Sequence, residues 1–301
     1  MLTFFKNWTL PIAMLIGGIG YPFLIKLSFL TPILIFAMLL LTFCKVSPTD
    51  LKPKKLHLWL ILFQIFGALL IYVLLGFYNK LVAESALVCI ICPTATAAAV
   101  VTAKLGGNAA SLTTYTLISN IGAAIAVPII FSLVESHPDI NFWASFLIIL
   151  KKVFLLLICP FLLAWLLERK APTLHFFFLK RHELAFYLWA VSLSIVTAQT
   201  VYSLVNHSAG GVVELMIALV ALIVCCLQFF LGKTIGGVYG DRISGGQALG
   251  QKNTILAIWM AYTYLNPLTA VGPGSYVLWQ NIINSWQLWK KRKNDFYHIS
   301  K

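Results

Sequence analysis

The chain has 301 residues, of which 60% are hydrophobic and only 10% are charged. Its charged residues form short patches between long apolar runs, a composition typical of membrane proteins and not of soluble domains. The formal net charge of +13 follows the segments between the apolar runs, so we expect it to orient the chain in a membrane and not to bind nucleic acid.

Ten apolar runs, each bounded by Gly, Pro or charge, follow one another along the chain. A helix needs about 20 apolar residues to cross a hydrocarbon core of about 30 Å, and these runs are of that order. We therefore predict an all-α membrane protein with ten transmembrane helices, at about residues 9–26, 30–46, 56–77, 82–104, 108–134, 141–167, 183–205, 211–232, 243–264 and 267–289.

Basic residues are concentrated in the predicted loops of one side. By the positive-inside rule this side faces the cytoplasm. Ten spans then place both termini in the cytoplasm, and we predict a multi-pass protein of the inner (plasma) membrane. The residues on this side are Lys6, Lys45, Lys52, Lys54, Lys55, Lys104, Arg169, Lys170, Lys180, Arg181, Lys233, Arg242 and the run from Lys290 to Lys293.

The chain divides into two halves of five spans, residues 1–136 and 140–301, which must insert with opposite topology because five is odd. The fourth span of each half contains helix breakers and polar residues at corresponding positions, Pro93 in the first half and Gly250 in the second. Irregular backbone is tolerated at membrane depth only where it is buried or lines a cavity. The pattern predicts two discontinuous helices, spans 4 and 9, that meet at a transport site near the bilayer midplane.

Three local motifs resemble the bile acid:sodium symporter family, and the span count and spacing agree over the whole chain. The family's fourth-span Cys-Pro, Thr-Ala and Gly-Asn, its ninth-span Gly-x-x-Asn-Ser/Thr and Leu-Ala, and its tenth-span Trp-His-Asn-Ile are matched here by Cys92, Pro93, Thr96, Ala97, Gly107 and Asn108, by Gly250, Asn253, Thr254, Leu256 and Ala257, and by Trp279, Gln280, Asn281 and Ile282. The resemblance implies a core domain, about 56–136 and 208–290, in which the interrupted helices cross. It also implies a panel domain, about 8–47 and 140–206, against which the core moves.

The same resemblance implies a substrate class and a site. The family's substrates are amphipathic organic anions such as bile acids or smaller carboxylates, which bind between the two domains. The implied substrate contacts are Thr96, Asn253, Asn281 and Gln280, the last in place of the family's histidine. Besides this small-molecule partner we expect contact with membrane lipid, and the sequence does not define an oligomeric state.

The sequence departs from the family at the positions implied to bind two sodium ions. The residues that replace oxygen ligands are Ala98, Ala99, Leu112, Ala248 and Lys252, while the polar residues that remain as candidates for an ion site or for coupling are Gln64, Thr116 and Gln251. Sodium is a hard cation that needs several oxygen ligands at once. We therefore expect degraded sodium sites, and neither a cofactor nor a bound metal.

Lys252 lies in the middle of a predicted span, where a charged side chain costs about 3 kcal/mol. No carboxylate lies inside a neighbouring predicted span, so we expect its partner to be a freed backbone carbonyl, Gln64, Thr116 or an anionic substrate. Our hypothesis is that its ammonium group occupies the place of a sodium ion, which makes transport sodium-independent. Proton coupling at the same residue is the alternative.

Other functions stay open at this point. A sodium- or proton-coupled symporter of the same family is one, and an arsenite-type exporter that uses Cys92 is another. An intramembrane enzyme would need a nucleophile with a base, or a carboxylate pair, within the membrane. All six histidines fall in predicted loops or at span ends, and no two carboxylates share an apolar run, so we expect no enzyme activity and rank an enzyme or a passive sensor below transport.

Overall fold

The computed structural model describes residues 2–46, 51–135, 141–207 and 210–299. In these ranges the chain is helical and forms no β-strand, which confirms the predicted all-α class. The α-helices are α1 (Leu2–Ile19), α2 (Tyr21–Leu24), α3 (Thr31–Phe43), α4 (Lys55–Gly76), α5 (Lys80–Ile91), α6 (Ala98–Leu105), α7 (Ala109–Val134), α8 (Phe142–Leu157), α9 (Cys159–Lys170), α10 (Pro172–Lys180), α11 (Leu184–Asn206), α12 (Val212–Val238), α13 (Arg242–Gly250), α14 (Thr254–Tyr264) and α15 (Val271–Ile299). Two 3₁₀ helices, Ile25–Leu30 and Pro267–Ala270, lead into α3 and α15.

Within the described ranges, six helical stretches are long and apolar enough to cross a membrane. Two further apolar stretches, Trp8–Ile19 and Thr254–Tyr264, are shorter. This architecture is compatible with a multi-pass membrane protein. The six long stretches are Tyr21–Phe43, Lys55–Gly76, Ala109–Val134, Phe142–Lys170, Leu184–Asn206 and Val212–Val238.

The predicted boundary between the first two spans, at residues 27–29, is wrong. α1 ends at Ile19, and a new helical stretch begins at Tyr21 with Pro22 in its first turn. Proline is favoured there because its missing N–H is not needed by the first turn of a helix. The junction between the predicted halves, residues 136–140, lies outside the described residues.

The sequence analysis missed two basic residues that lie inside an apolar helix. Lys151 and Lys152 occupy the middle of α8, within the predicted sixth span, and both are exposed. Exposed apolar side chains surround Lys151 one turn before and after it, among them Leu147 and Phe154. Since helical side chains lean toward the N-terminus of their helix, we expect both amines to extend toward the Phe142 end of α8.

Two groups of helices each pack among themselves. α1 and α3 pack against α11, and α9 packs against α3. α5 packs between α4 and α12, which also contacts α13 and α15. The groups are not separate, because α7 packs against α8 and α11 contacts α14 and α15, so the division into panel and core domains stays a prediction.

Glycines allow α12 and α13 to approach each other closely. A Cβ atom added at Gly245 would collide with the backbone carbonyl of Gly232, and one at Gly236 would lie 2.5 Å from the Asp241 carbonyl oxygen. Small residues at such a crossing let two helix backbones come into contact. The contact fixes α13, and with it the end of the helix at Gly250, against the rest of the second group.

Candidate transport site

The chain leaves the α-helical conformation at both positions that the sequence singled out. α5 ends at Ile91, and Cys92 has φ −57° and ψ 138°. This extended geometry is expected of a residue that precedes proline, here Pro93, because the proline ring clashes with helical backbone before it. α13 ends at Gly250, where a Cβ atom would collide with the Phe229 ring, and the following residue is extended.

The helices resume on the far side of each interruption. α14 begins after Asn253, whose side-chain oxygen accepts a hydrogen bond from the Leu256 amide at 3.3 Å. This is the ordinary role of asparagine at a helix N-cap. α6 begins after Ala97, which provides no such side-chain bond.

The two interruptions pair directly with each other. Thr94 and Lys252 lie opposite one another in an isolated antiparallel bridge. The Ala95 amide donates to the Gln251 carbonyl oxygen and the Asn253 amide donates to the Pro93 carbonyl oxygen, both at 2.9 Å. These bonds satisfy backbone groups that the interrupted helices leave free, as burial requires.

The side chains of the two bridge residues each reach a half-helix from the other half of the chain. Thr94 Oγ1 donates to the Ala248 carbonyl oxygen at 2.6 Å, and Lys252 Nζ donates to the Ile90 carbonyl oxygen at 2.7 Å. Both acceptors lie in the last turn of a helix, α13 and α5 respectively. A helix C-terminus carries about half a negative elementary charge, so an ammonium group is favoured there.

Lys252 therefore bonds to a carbonyl freed by the broken helix, one of the partners expected from the sequence. It is 1% exposed, and within the described ranges Ile90 is the one hydrogen-bond partner of its amine. Neither Gln64 nor Thr116, the other expected partners, bonds to it. The Thr116 hydroxyl donates instead to the Leu112 carbonyl oxygen of its own helix at 2.9 Å.

The backbone amides of the bridge residues are held from α7 and α15. The Thr94 amide donates to Ser119 Oγ at 3.2 Å, and the Lys252 amide donates to Gln280 Oε1 at 2.8 Å. Gln280 therefore has a structural role, because its Oε1 accepts this bond. This role is additional to the substrate contact predicted for it from the sequence.

A glutamine and a tyrosine support each interrupted helix. Gln64 Nε2 donates to the Ile91 and Cys92 carbonyl oxygens at 2.9 and 3.2 Å, and its Oε1 accepts from the Tyr115 hydroxyl at 2.8 Å. On the other side, the Tyr276 hydroxyl donates to the Gly250 carbonyl oxygen at 2.9 Å and accepts from Gln228 Nε2 at 2.9 Å. In both cases one member of the pair donates a hydrogen bond to a backbone carbonyl at the C-terminus of a half-helix, and the other member bonds to that donor.

Sequence reasoning found Gln64 but missed Tyr115, Ser119, Gln228 and Tyr276. A signal for three of them is present in the sequence. Residues 114–121 read Thr-Tyr-Thr-Leu-Ile-Ser-Asn-Ile, and residues 275–282 read Ser-Tyr-Val-Leu-Trp-Gln-Asn-Ile. When the two segments are aligned, Tyr115 corresponds to Tyr276 and Ser119 corresponds to Gln280. The hydrogen bonds show the same correspondence, because each tyrosine bonds to a glutamine and Ser119 and Gln280 each accept from the amide of a bridge residue.

A cavity of about 510 Å³ lies beside the bridge. Its lining is mixed. α3 and α11 contribute apolar side chains such as Met38, Phe186 and Trp189, and the segments around the interruptions contribute both polar and apolar residues. Lys45 and His182, which follow α3 and precede α11, also line the cavity. The predicted site residues in the lining are Thr96, Thr116, Gln251, Lys252, Asn253, Gln280 and Asn281.

Gln64 does not line this cavity. It is 0% exposed, and both ends of its side-chain amide are used in the contacts described above. The Cys92 thiol likewise donates to the Asn253 carbonyl oxygen at 3.1 Å. No group of three or more His, Cys, Asp or Glu side chains within the described ranges is arranged to hold a metal ion.

Comparison of the chain with protein-family models finds no match, and comparison with curated proteins finds none either.

Proposed function

We propose that this chain is a ten-span secondary transporter of the inner membrane that moves amphipathic organic anions by alternating access. The observation that carries the proposal is the pairing of two interrupted helices next to a cavity whose lining includes both polar and apolar side chains. Transport sites of inverted-repeat transporters are built from such discontinuous helices. The resemblance to bile acid:sodium symporters supports the same conclusion from the motifs.

The ten spans of this proposal comprise the six long apolar stretches and four others. The four are α1, the pair α5 and α6, the pair α13 and α14, and α15. The equivalence of the halves is supported by the paired contacts. Each half contributes one bridge residue, one side chain that accepts from its amide, and one glutamine–tyrosine pair.

The cavity suits an anion with an apolar body. α6 and α14 begin at the interruptions, and helix N-termini carry partial positive charge that favours anions. Thr96, Asn253 and Asn281 add polar side chains to the cavity lining. Met38, Phe186 and Trp189 add apolar surface, and the volume is in the range of about 300–1,000 Å³ that is usual for small-molecule sites.

In this proposal the Lys252 ammonium is a tethered cation that replaces a coupling ion. Two helix C-termini, of α5 and α13, converge on the bridge with partial negative charge. Lys252 supplies a full positive charge there, at the Ile90 carbonyl. Alanines occupy positions at which the family resemblance implies sodium ligands. Transport is then independent of sodium.

Uptake of a labelled bile acid into proteoliposomes tests the transport function. We expect saturable uptake by the wild type and loss of most of it in Asn253→Ala. Thr234→Val is the matched control, since Thr234 is exposed on α12 and is absent from the cavity wall. Bile-acid binding to the purified protein without flux would instead indicate a receptor and would refute the proposal.

A further inference from the structure

A second apolar groove lies on the surface of the chain between α4 and α12. It measures about 470 Å³ and is lined by Trp59, Leu62, Phe63 and Phe66 from α4 and by Ile235, Val238 and Tyr239 at the end of α12. Several of these side chains are strongly exposed, Phe66 at 63% and Val238 at 79%. This groove is separate from the cavity beside the bridge.

Two cations lie close along the chain to the residues that line the groove. Lys55 begins α4 and precedes Trp59 by four residues, so helical spacing places it on the same face as the α4 side chains of the groove. Arg242 begins α13, three residues after Tyr239. Both side chains are exposed, and neither forms an ion pair within the described ranges.

The charge around these two cations is positive overall. Lys54 neighbours Lys55, and Lys233 lies within electrostatic reach of Arg242. Asp241 is the acidic residue beside Arg242, and it interacts electrostatically with His57. Lys54, Lys55 and Arg242 therefore face a single carboxylate, which leaves a net charge of +2 on these four residues.

The distance from Lys55 to the far end of the groove matches one leaflet of a bilayer. From Lys55 to the lining residue Phe66 the rise along α4 is about 16 Å, and half of a hydrocarbon core is about 15 Å. Trp59 and Tyr239, close along the chain to the two cations, are the residue types that mark the membrane interface. The apolar part thus runs from headgroup level to the middle of the membrane.

From this geometry we propose that the groove between α4 and α12 binds an anionic phospholipid, with one acyl chain along Phe63 and Phe66 and the phosphate at Lys55 and Arg242. The proposal rests on the membrane placement given under Proposed function but not on transport. The acyl chain covers exposed aromatic surface, and the two cations gain a counter-charge that the described residues do not provide. A zwitterionic lipid fills the groove equally well but adds no net charge at Lys55.

Native mass spectrometry of the detergent-purified full chain tests this site with phosphatidylglycerol and phosphatidylcholine of identical acyl chains. We expect the wild type to retain at least about fivefold more phosphatidylglycerol, equivalent to about 1 kcal/mol. The double variant Lys55→Gln/Arg242→Gln should retain the two lipids equally. Arg169→Gln/Lys170→Gln, which removes the same two charges from the end of α9, should keep the preference.

Two competition experiments distinguish binding of the whole lipid from binding of its headgroup alone. Inorganic phosphate and a phosphatidylglycerol with six-carbon chains should fail to compete, because neither fills the groove. Equal retention of both lipids by the wild type, competition by phosphate, or an unchanged preference in the Lys55/Arg242 variant would overturn the proposal. Each result is independent of flux, so a transporting wild type without lipid preference refutes this site and leaves the transport function standing.

Discussion

Thr94 and Lys252 oppose each other in one antiparallel bridge, and each side chain bonds to a carbonyl in the last turn of a half-helix from the other half of the chain. The two positions are therefore counterparts, although one carries a neutral hydroxyl and the other an amine. The crossing contains one fixed cation between two helix ends of partial negative charge. This asymmetry supports the proposal that Lys252 replaces a coupling ion.

Replacing Lys252 with methionine keeps the length of the side chain and removes its charge and donors. The Ile90 carbonyl then loses its side-chain donor, at a cost of about 1–3 kcal/mol, and α5 loses its cation. We expect uptake to fall about tenfold or more, with a lower midpoint of thermal unfolding. Thr94→Val removes a neutral donor at the counterpart position and should cost less, and equal effects of the two substitutions would contradict a special role for the charge.

The panel and core groups should move relative to each other during transport. An ideal Cβ atom at Gly274 in α15 lies 3.6 Å from Thr200 Cβ in α11, within the range that a disulfide spans. Oxidised Thr200→Cys/Gly274→Cys, made in a background with the exposed Cys226 replaced by alanine, should lose uptake and recover it on reduction. The single-cysteine variants are the controls, and undiminished uptake by cross-linked protein would exclude movement at this contact.

Close packing of α12 on its neighbours can be tested with two adjacent glycines. A Cβ atom at Gly236 would lie 2.5 Å from the Asp241 carbonyl oxygen, whereas one at Gly237 meets nothing within 4 Å. We expect Gly236→Ala to lower the free energy of unfolding by about 1–3 kcal/mol through overpacking. Gly237→Ala should be neutral or stabilising by up to about 1 kcal/mol, since alanine favours helix; denaturation of the two variants in detergent compares them directly.

Lys45 in the cavity lining should make substrate affinity depend on pH. Burial lowers the pKa of its amine, an effect that the nearby Glu183 opposes. A lowered pKa means that the positive charge is present at neutral pH and is lost as the pH rises, at a lower pH than for a free lysine. We therefore expect the KM for an organic anion to rise about fivefold as the pH rises above the pKa of Lys45. This factor corresponds to the loss of about 1 kcal/mol, the attraction between unit charges 4 Å apart in water.

Lys45→Arg provides the control, because a guanidinium group keeps its charge over the same range. Its KM should stay constant while that of the wild type rises. An identical alkaline rise in both proteins would assign the effect to another group.

The sequence was sufficient for the helical class and for the two interruptions, because Pro93 and Gly250 act locally on the backbone. It was insufficient for the contacts that hold the interruptions together. Gln228 and Tyr276 lie 48 residues apart, and their pairing depends on how α12 and α15 pack. The short repeat around Tyr115 and Tyr276 carried part of this information, but it is visible only when the two halves are compared residue by residue.

Two errors arose where apolar residues continue on both sides of a local interruption. Lys151 and Lys152 are flanked by apolar residues within the predicted sixth span, and the first predicted span was drawn across the bend at Gly20. All four proposed substrate contacts line the cavity, whereas Gln64, a candidate for an ion site, is fully used in supporting α5. A retained polar residue can therefore serve the scaffold and not an ion site.

Sodium dependence of uptake tests the role of Lys252 most directly. Proteoliposomes containing the wild-type chain would be given a labelled bile acid in sodium buffer and in buffer with N-methylglucamine in place of sodium, at constant pH and membrane potential. With Lys252 as the tethered cation, the initial rates should be equal in the two buffers. Uptake that occurs only in the sodium buffer would contradict this account.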